Sequence, residues 1–369
     1  MWSISKNKNW EALSPSFDWV AEMSGVPQDA VHHAEGDVAV HTQMVLDELC
    51  KLPEYLALDE QTREVMCAAA LLHDVEKRST TIIGEDGRIS SPGHAKKGAL
   101  TARGILYREI PTDFLLREQI VKLVRYHGLP IWLFEKPIPT KAAVTASLEV
   151  NTELLTLLAR ADMLGRICAD REDMLYRIDC FAEMCRELNC FGRAREFKTN
   201  TARFNYFYKE DSYLDYVPFE EPEFTVILMS ALPGAGKDYF IQKNYADLPV
   251  ISLDALREEM DVEHGDSTGS GHVIQAAKEN ARGYLRKKQS FVWNATNITK
   301  QMRSQLIDLF VTYRAKVRIE YLEVPYKMLL QQNKNRESAI PVVALERMID
   351  KLEVPVLGEA HEVNFNIRP

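Results

Sequence analysis

Two groups of residues in this 369-residue chain carry chemistry by their types and spacing. The first is Ala231-Leu232-Pro233-Gly234-Ala235-Gly236-Lys237-Asp238. A glycine-rich loop ending in Lys, set between a strand and a helix, folds backbone N–H groups around phosphate oxygens, and the helix N-terminus adds positive potential. Gly234, Ala235, Gly236, Lys237 and Asp238 are therefore candidate nucleotide-binding positions, with Lys237 reaching the β and γ phosphates. Two positions depart from the usual loop. Ala231 stands in place of the first glycine, and Asp238 in place of the hydroxyl residue that usually holds Mg²⁺. A glycine turn that merely caps a helix is the plainer alternative.

The second group begins where the apolar run Ala68–Leu72 meets His73-Asp74-Val75-Glu76-Lys77. Burying adjacent His and Asp at a helix end is unfavourable unless something satisfies them. Together they supply a nitrogen and an oxygen to one metal ion. His41, His94, His127 and Asp162 recur at spaced positions in helices, at helix ends or in loops. Any one of these histidines alone reads as a cap or a satisfied core residue; the combination reads as a ligand cluster. Lys77, one turn after His73, and Arg166, four residues after Asp162, offer positive charge to a phosphate or form surface ion pairs.

Further pieces lie downstream of the glycine loop. Asp254 starts a helix directly after the strand candidate at 249–253, and Arg257 follows on the same side. A carboxylate at the C-terminal edge of a parallel strand lies where ligands bind in open sheets, although Asp is also a favoured helix N-cap. Asn294-Ala295-Thr296-Asn297 follows the third strand candidate at the same edge. Asn333-Lys334-Asn335-Arg336 precedes Ile340-Pro341, and a basic segment there can close as a lid.

The elements that must position these residues divide the chain in two. Through residue 205 the apolar residues recur at three- and four-residue steps, as over 38–52, 63–72, 117–126 and 154–167, with no strand alternation. From 206 to 222 the sequence is aromatic and acidic with prolines, which reads as a linker. Residues 223–369 alternate strand candidates (224–229, 249–253, 290–293, 317–322) with helical stretches (272–288, 300–313, 342–352), the rhythm of a parallel sheet with crossover helices. The expectation is a multi-domain protein with an N-terminal all-α domain and a C-terminal α/β domain.

Composition sets the outer limits. Hydrophobic residues make up 46% of the chain, which supports packed domains rather than disorder. No apolar stretch nears the roughly 20 residues of a membrane span, and no secretory leader is evident, so a cytoplasmic protein without membrane contact is expected. The six cysteines form no CxxC pair and read as reduced, structural thiols. A net charge of −9 argues against a general nucleic-acid coat but permits a local groove. Candidate basic runs are Arg193-Arg195-Lys198, Arg282-Arg286-Lys287-Lys288 and Arg314-Lys316-Arg318, each of which also reads as a solvated face.

On these motifs, residues 225–352 resemble the 5′-OH polynucleotide kinases of RNA repair. The resemblance implies Asp254 as general base, Arg257 gripping the phosphate beside the 5′-OH, and Arg336 contacting the donor. It places Asn297 and Arg303 with Arg336 and the loop on the nucleotide side. The cofactor implied is an NTP (ATP or GTP) with Mg²⁺. Residues 30–170 resemble HD-domain phosphohydrolases through His33-Ala-Glu35-Gly-Asp37, His41-Thr42 and Leu71-Leu72-His73-Asp74-Val75-Glu76-Lys77. That resemblance implies His41, His73, Asp74 and Asp162 as first-metal ligands, with His94 and His127 completing a second site or gripping substrate phosphate. A mixed His/carboxylate set suits Mn²⁺, Ni²⁺, Co²⁺, Fe²⁺ or Zn²⁺.

The two halves together resemble bifunctional bacterial end-healing enzymes, an HD phosphohydrolase fused to a 5′-OH kinase. The resemblance implies 5′-phosphorylation of RNA or DNA ends, removal of 2′- or 3′-phosphate or 2′,3′-cyclic phosphate, and functional pairing with a separate ligase. A metabolite kinase fused to a nucleotide phosphohydrolase is the alternative. A C-terminal half that only senses nucleotide or binds RNA is a third.

Overall fold

The computed structural model describes residues 1–219, 222–263, 265–336 and 339–368. The chain forms two compact units, Met1–Glu196 and Phe197–Pro369. The first is helical. Six of its helices position the His/Asp group: α1 (Val38–Leu49), α2 (Glu60–Leu72), α3 (His94–Arg108), α4 (Phe114–Tyr126), α5 (Thr152–Leu164) and α6 (Arg171–Glu187). Each of α1, α2, α4 and α5 starts at an Asp or Asn whose side chain accepts from a first-turn N–H: Asp37, Asp59, Asp113 and Asn151. Such caps satisfy donors that have no partner inside the helix.

The buried stripe of α1 is Val38, Thr42, Val45 and Leu49, while α2 is buried continuously from Glu64 to Leu72. That makes α2 the central helix of the core, and its end a buried place. A two-residue antiparallel ladder, Ile82–Ile83 with Ile89–Ser90, corrects the expectation of no strand in this half. It is exposed and joins α2 to α3 across an Asp86-Gly87 turn.

The second unit holds a five-stranded, all-parallel sheet: β1 (Thr225–Ala231), β2 (Val250–Ser252), β3 (Phe291–Asn294), β4 (Lys316–Glu323) and β5 (Glu362–Ile367), in the order β2-β3-β1-β4-β5. With β1 central, the strand order reverses beside it, and ligands of such sheets bind outside the C-terminal strand ends at that switch point. The connecting helices include α8 (Lys237–Asn244), α9 (Leu253–Glu259), α10 (Ser267–Arg286), α11 (Lys300–Thr312), α12 (Tyr326–Lys334) and α13 (Val342–Ile349).

The helix before them, α7 (Asn200–Tyr208), belongs to this unit. Phe204 is buried in its core with Val226, Phe291 and Phe310. The boundary therefore falls at Glu196, ahead of the expected 205, because Phe204 packs with the sheet. Of the expected linker 206–222, Tyr206 to Tyr208 continue α7, and Glu220 and Glu221 lie outside the described residues.

Candidate functional site

In the helical unit the polar cluster is built from four helix ends and one helix face. His41 projects from the buried face of α1, one turn before Val45. His73 caps α2 and Asp74 follows it. His94 opens α3, His127 caps α4, and Asp162 lies near the end of α5. Close approach of α5 to α1 requires Gly165, since a Cβ there would lie 2.8 Å from the backbone nitrogen of Val45.

Asp74 is the hinge of the geometry. Its Oδ2 lies 3.2 Å from His73 Nε2 and 3.7 Å from His41 Nε2. His41 Nε2 is in turn 3.1 Å from Asp162 Oδ1 and 3.4 Å from His73 Nε2. The other oxygen of Asp74, Oδ1, lies 3.4 Å from His94 Nε2 and 3.7 Å from His127 Nε2, which are 3.3 Å apart. One carboxylate thus joins two donor groups, His41/His73/Asp162 and His94/His127. All six residues expected as ligands are brought together.

The far nitrogen of three of the four rings is committed elsewhere. His73, His94 and His127 donate Nδ1–H to the carbonyls of Ala70, Ser91 and Val124 at 2.7, 2.7 and 2.8 Å. His41 Nδ1 lies 2.9 Å from Glu35 Oε1 but off the line of a hydrogen bond. Glu35 accepts properly from His33 Nδ1 at 2.8 Å and from the Ile167 N–H at 2.9 Å. Such outer contacts fix the tautomer, leaving bare Nε2 lone pairs aimed into the cluster. Both Asp74 oxygens are buried and make no aligned hydrogen bond. Buried carboxylate oxygens without aligned hydrogen bonds, set among four imidazoles, are the donor set of a divalent cation site. The residues present fit the implied metal.

Electrostatics agree. Burial would raise the Asp74 carboxyl, but Lys77 and His73 hold it well below the usual carboxylate range. Burial would likewise raise Asp162, and Arg166 and His41 pull it well down. Burial pushes His127 to about 3 and His33 to about 4, keeping both neutral and able to ligate or accept. Lys77 Nζ sits 2.8 Å from Asp74 Oδ2 and donates to Gln28 at 2.7 Å. Arg166 grips both oxygens of Asp162 at 2.9 and 2.6 Å.

The cluster floors a cavity of about 490 Å³ whose lining includes Lys77, Arg125, Trp132, Lys136 and Arg166. Four cations over a buried His/Asp cluster favour a phosphate group. Arg125, Trp132 and Lys136 carry no sequence motif and only the fold gathers them. Glu35 was visible only as part of the quoted block around His33.

In the α/β unit Gly234 and Gly236 adopt φ of +85° and +90°, and Gly236 caps α8. Ala231 has no such φ; it ends β1 in register with Leu322, so the missing first glycine costs nothing. Lys237 is buried at the start of α8. Burial lowers its ammonium, the nearby Asp238 and Asp254 carboxylates pull it back up, and Arg336 lowers it again. These four side chains therefore share one field around the loop.

Asp254 is not the helix cap. Ser252 accepts the Ala255 N–H in that role, leaving the Asp254 side chain 70% exposed with Arg336 4.0 Å away. The Asn333 side chain bonds the carbonyl and N–H of Ile340 at 2.8 and 3.3 Å. Arg257, expected beside Asp254, points its guanidinium at Ser270 Oγ, 3.1 Å away.

Asn297 and Arg303, expected on the nucleotide side, serve the sheet edge instead. Asn297 donates to the Met229 carbonyl at 2.8 Å. Arg303 is fully buried and spent on Glu359 and on the carbonyls of Asn297 and Glu353. A buried guanidinium needs that many acceptors, which is why it cannot also reach a ligand. Among the expected basic runs, Lys288 pairs with Glu223, Arg282 with Glu279, and Lys316 and Arg318 both with Glu362. All six cysteines are free thiols.

An AAA domain family model matches residues 226–355. The glycine loop at 231–238 lies within that matched stretch. The chain is also 36% identical over 118 residues to the multifunctional CCA protein of Methylococcus capsulatus, covering 32% of this chain and 25% of that protein. It is 33% identical over 116 residues to the multifunctional CCA protein of Halorhodospira halophila, covering 31% and 25%. The chain thus spans about a quarter of the length of these curated relatives. A solved structure described as a "putative kinase" from Chloroflexus aurantiacus covers 41% of this chain and 87% of its own, at 17% identity and a TM-score of 0.35. No helix among the described residues is long and apolar enough to cross a membrane.

Proposed function

We propose that this chain heals nucleic-acid ends: its P-loop unit phosphorylates a 5′-hydroxyl from an NTP, and its helical unit, an HD-type phosphohydrolase, removes a 2′- or 3′-phosphate or a 2′,3′-cyclic phosphate. The observation that carries the hydrolytic half is Asp74, whose two oxygens face two oriented sets of imidazole and carboxylate donors beneath a cationic cavity. His41, His73, Asp74 and Asp162 would hold one divalent cation, and Asp74, His94 and His127 a second. When bound, such cations supply an acidified water and polarise the phosphoryl oxygen. Lys77, Arg125, Lys136 and Arg166 then neutralise the phosphate oxygens and orient the phosphorus towards the floor.

In the kinase half Lys237, buried at the start of α8, would meet the β and γ phosphates bound against the loop. Asp254, exposed and released from capping, takes the proton of the 5′-hydroxyl as its oxygen bonds to the γ phosphorus. The bond from that phosphorus to the β–γ bridging oxygen breaks, and NDP leaves. Arg336 approaches the transferring group from the lid side. RNA or DNA ends, an NTP with Mg²⁺ and a partner ligase follow as substrate, donor and consumer of the product.

The test is transfer of label from γ-labelled NTP to a 5′-OH oligonucleotide, with Lys237→Ala and Asp254→Asn beside the wild type. Both variants should lose at least about 10²-fold in rate, the contribution typical of phosphate positioning and of a general base. Label on a small alcohol but on no oligonucleotide would replace this reading with a metabolite kinase.

A further inference from the structure

Asp238 occupies the loop position whose hydroxyl usually helps hold Mg²⁺. In P-loop enzymes that hydroxyl works with a carboxylate from elsewhere in the site. Here the neighbouring strand β3 ends in Asn294, buried at 7% exposure, and its Nδ2–H donates to Asp238 Oδ1 at 2.6 Å. The other terminal atom of that side chain, Asn294 Oδ1, is buried and has no hydrogen-bond partner. Asp238 itself is exposed.

Resting on the reading of this loop as an NTP site, we propose that Asp238 and Asn294 together form its Mg²⁺-holding pair, with carboxylate and neutral donor exchanged between loop and strand. Three observations converge. A carboxylate beside a polyphosphate repels it unless a cation lies between them. Mg²⁺ takes oxygen donors, one or two of them carboxylates, together with substrate phosphates and waters. The orphaned amide oxygen of Asn294 is such a donor, fixed by its own Nδ2 bond to Asp238. The pair leaves Lys237 free for the phosphates, since Asn294 and not Lys237 bonds the Asp238 carboxylate.

The sign of the charge effect makes the proposal testable in full-length protein. Binding of a fluorescent ATP analogue is measured in EDTA and in Mg²⁺ for wild type, Asp238→Asn and Asp238→Ala. In the wild type Mg²⁺ should tighten binding by about tenfold or more, since it bridges carboxylate and phosphate. Either variant should bind metal-free nucleotide more tightly than wild type, because repulsion is gone, and should lose most of the Mg²⁺ increment. Asp238→Asn keeps the acceptor for Asn294, so loss of fold does not imitate the result. Bound Mn²⁺ counted by EPR in the nucleotide complex should fall in parallel. Equal weakening in both conditions, or an undiminished Mg²⁺ increment, overturns the proposal and leaves the nucleotide site intact. Absence of nucleotide binding by wild type in both conditions overturns the nucleotide reading itself, and the proposal with it.

Discussion

Asp74 has to satisfy two sets of imidazoles with one carboxylate, and the positions of the rings are set from behind. Glu35 is the part of that backing made by a side chain, touching both His33 and His41. Removing its charge leaves every ligand in place but takes away the carboxylate that faces His41 Nδ1. Glu35→Gln should therefore weaken divalent-metal affinity about 10- to 100-fold, with Asp74→Asn abolishing binding. Metal titration followed by elemental analysis of the dialysed protein measures both. Unchanged affinity in Glu35→Gln would make Glu35 a structural residue only. At this scale the six ligand candidates came from the resemblance carried by the His-Asp motif, and the fold brings their side chains together. Arg303 was misread because sequence does not show whether a guanidinium is buried; Asn294 was passed over for Asn297, although both lie at the same sheet edge.

Elements are held by less visible contacts, and His361 is one of them. It stacks on Phe204 with centroids 4.1 Å apart, and its Nδ1 accepts the Val317 N–H at 3.1 Å, tying α7 and β4 together. Burial and the Lys316 cation push it down to about 4, with Glu362 opposing and Arg203 adding to the depression. Between pH 6.5 and 4 the unfolded chain therefore binds more protons than the folded one, so stability falls as the solution is acidified through that window. The full loss is about 3 kcal/mol from a shift of this size. His361→Asn keeps an acceptor and has no proton to gain. Its melting temperature should be less pH-dependent than that of wild type across the window; identical slopes would remove His361 as the cause.

The helices α1, α2, α4 and α5 were readable from apolar periodicity because each buries one stripe or more. Strand β5 was not, although Val363, Phe365 and Ile367 alternate with polar residues. Its Asn364 and Asn366, poor strand formers in isolation, are justified only by Glu320 across the sheet, to which they donate at 2.8 and 2.7 Å. Residues 200–205, the first part of α7, were read with the helical half for a related reason. The partner that buries Phe204 lies in strands more than twenty residues away in sequence.

At the scale of the molecule, each unit has its own apolar core: Val38, Val65, Leu72, Val124 and Leu158 contribute to one, and Phe204, Val226, Phe291, Trp293 and Ile319 to the other. Each proposed site draws its residues from one unit alone. The two chemistries should then be separable by substitution in the intact chain. One RNA carrying a 5′-OH and a 2′,3′-cyclic phosphate reports both ends in a single assay. Asp74→Asn should stop release of terminal phosphate while 5′-labelling stays within about twofold of wild type, and Lys237→Ala should do the reverse, because mutations without shared partners act independently. The double variant should lose both activities, with the residual rate at each end matching its single variant. If Asp74→Asn also suppresses 5′-labelling by tenfold or more while the protein remains folded by circular dichroism, the two sites are coupled. In that case the hydrolytic end must be processed before the kinase accepts the strand.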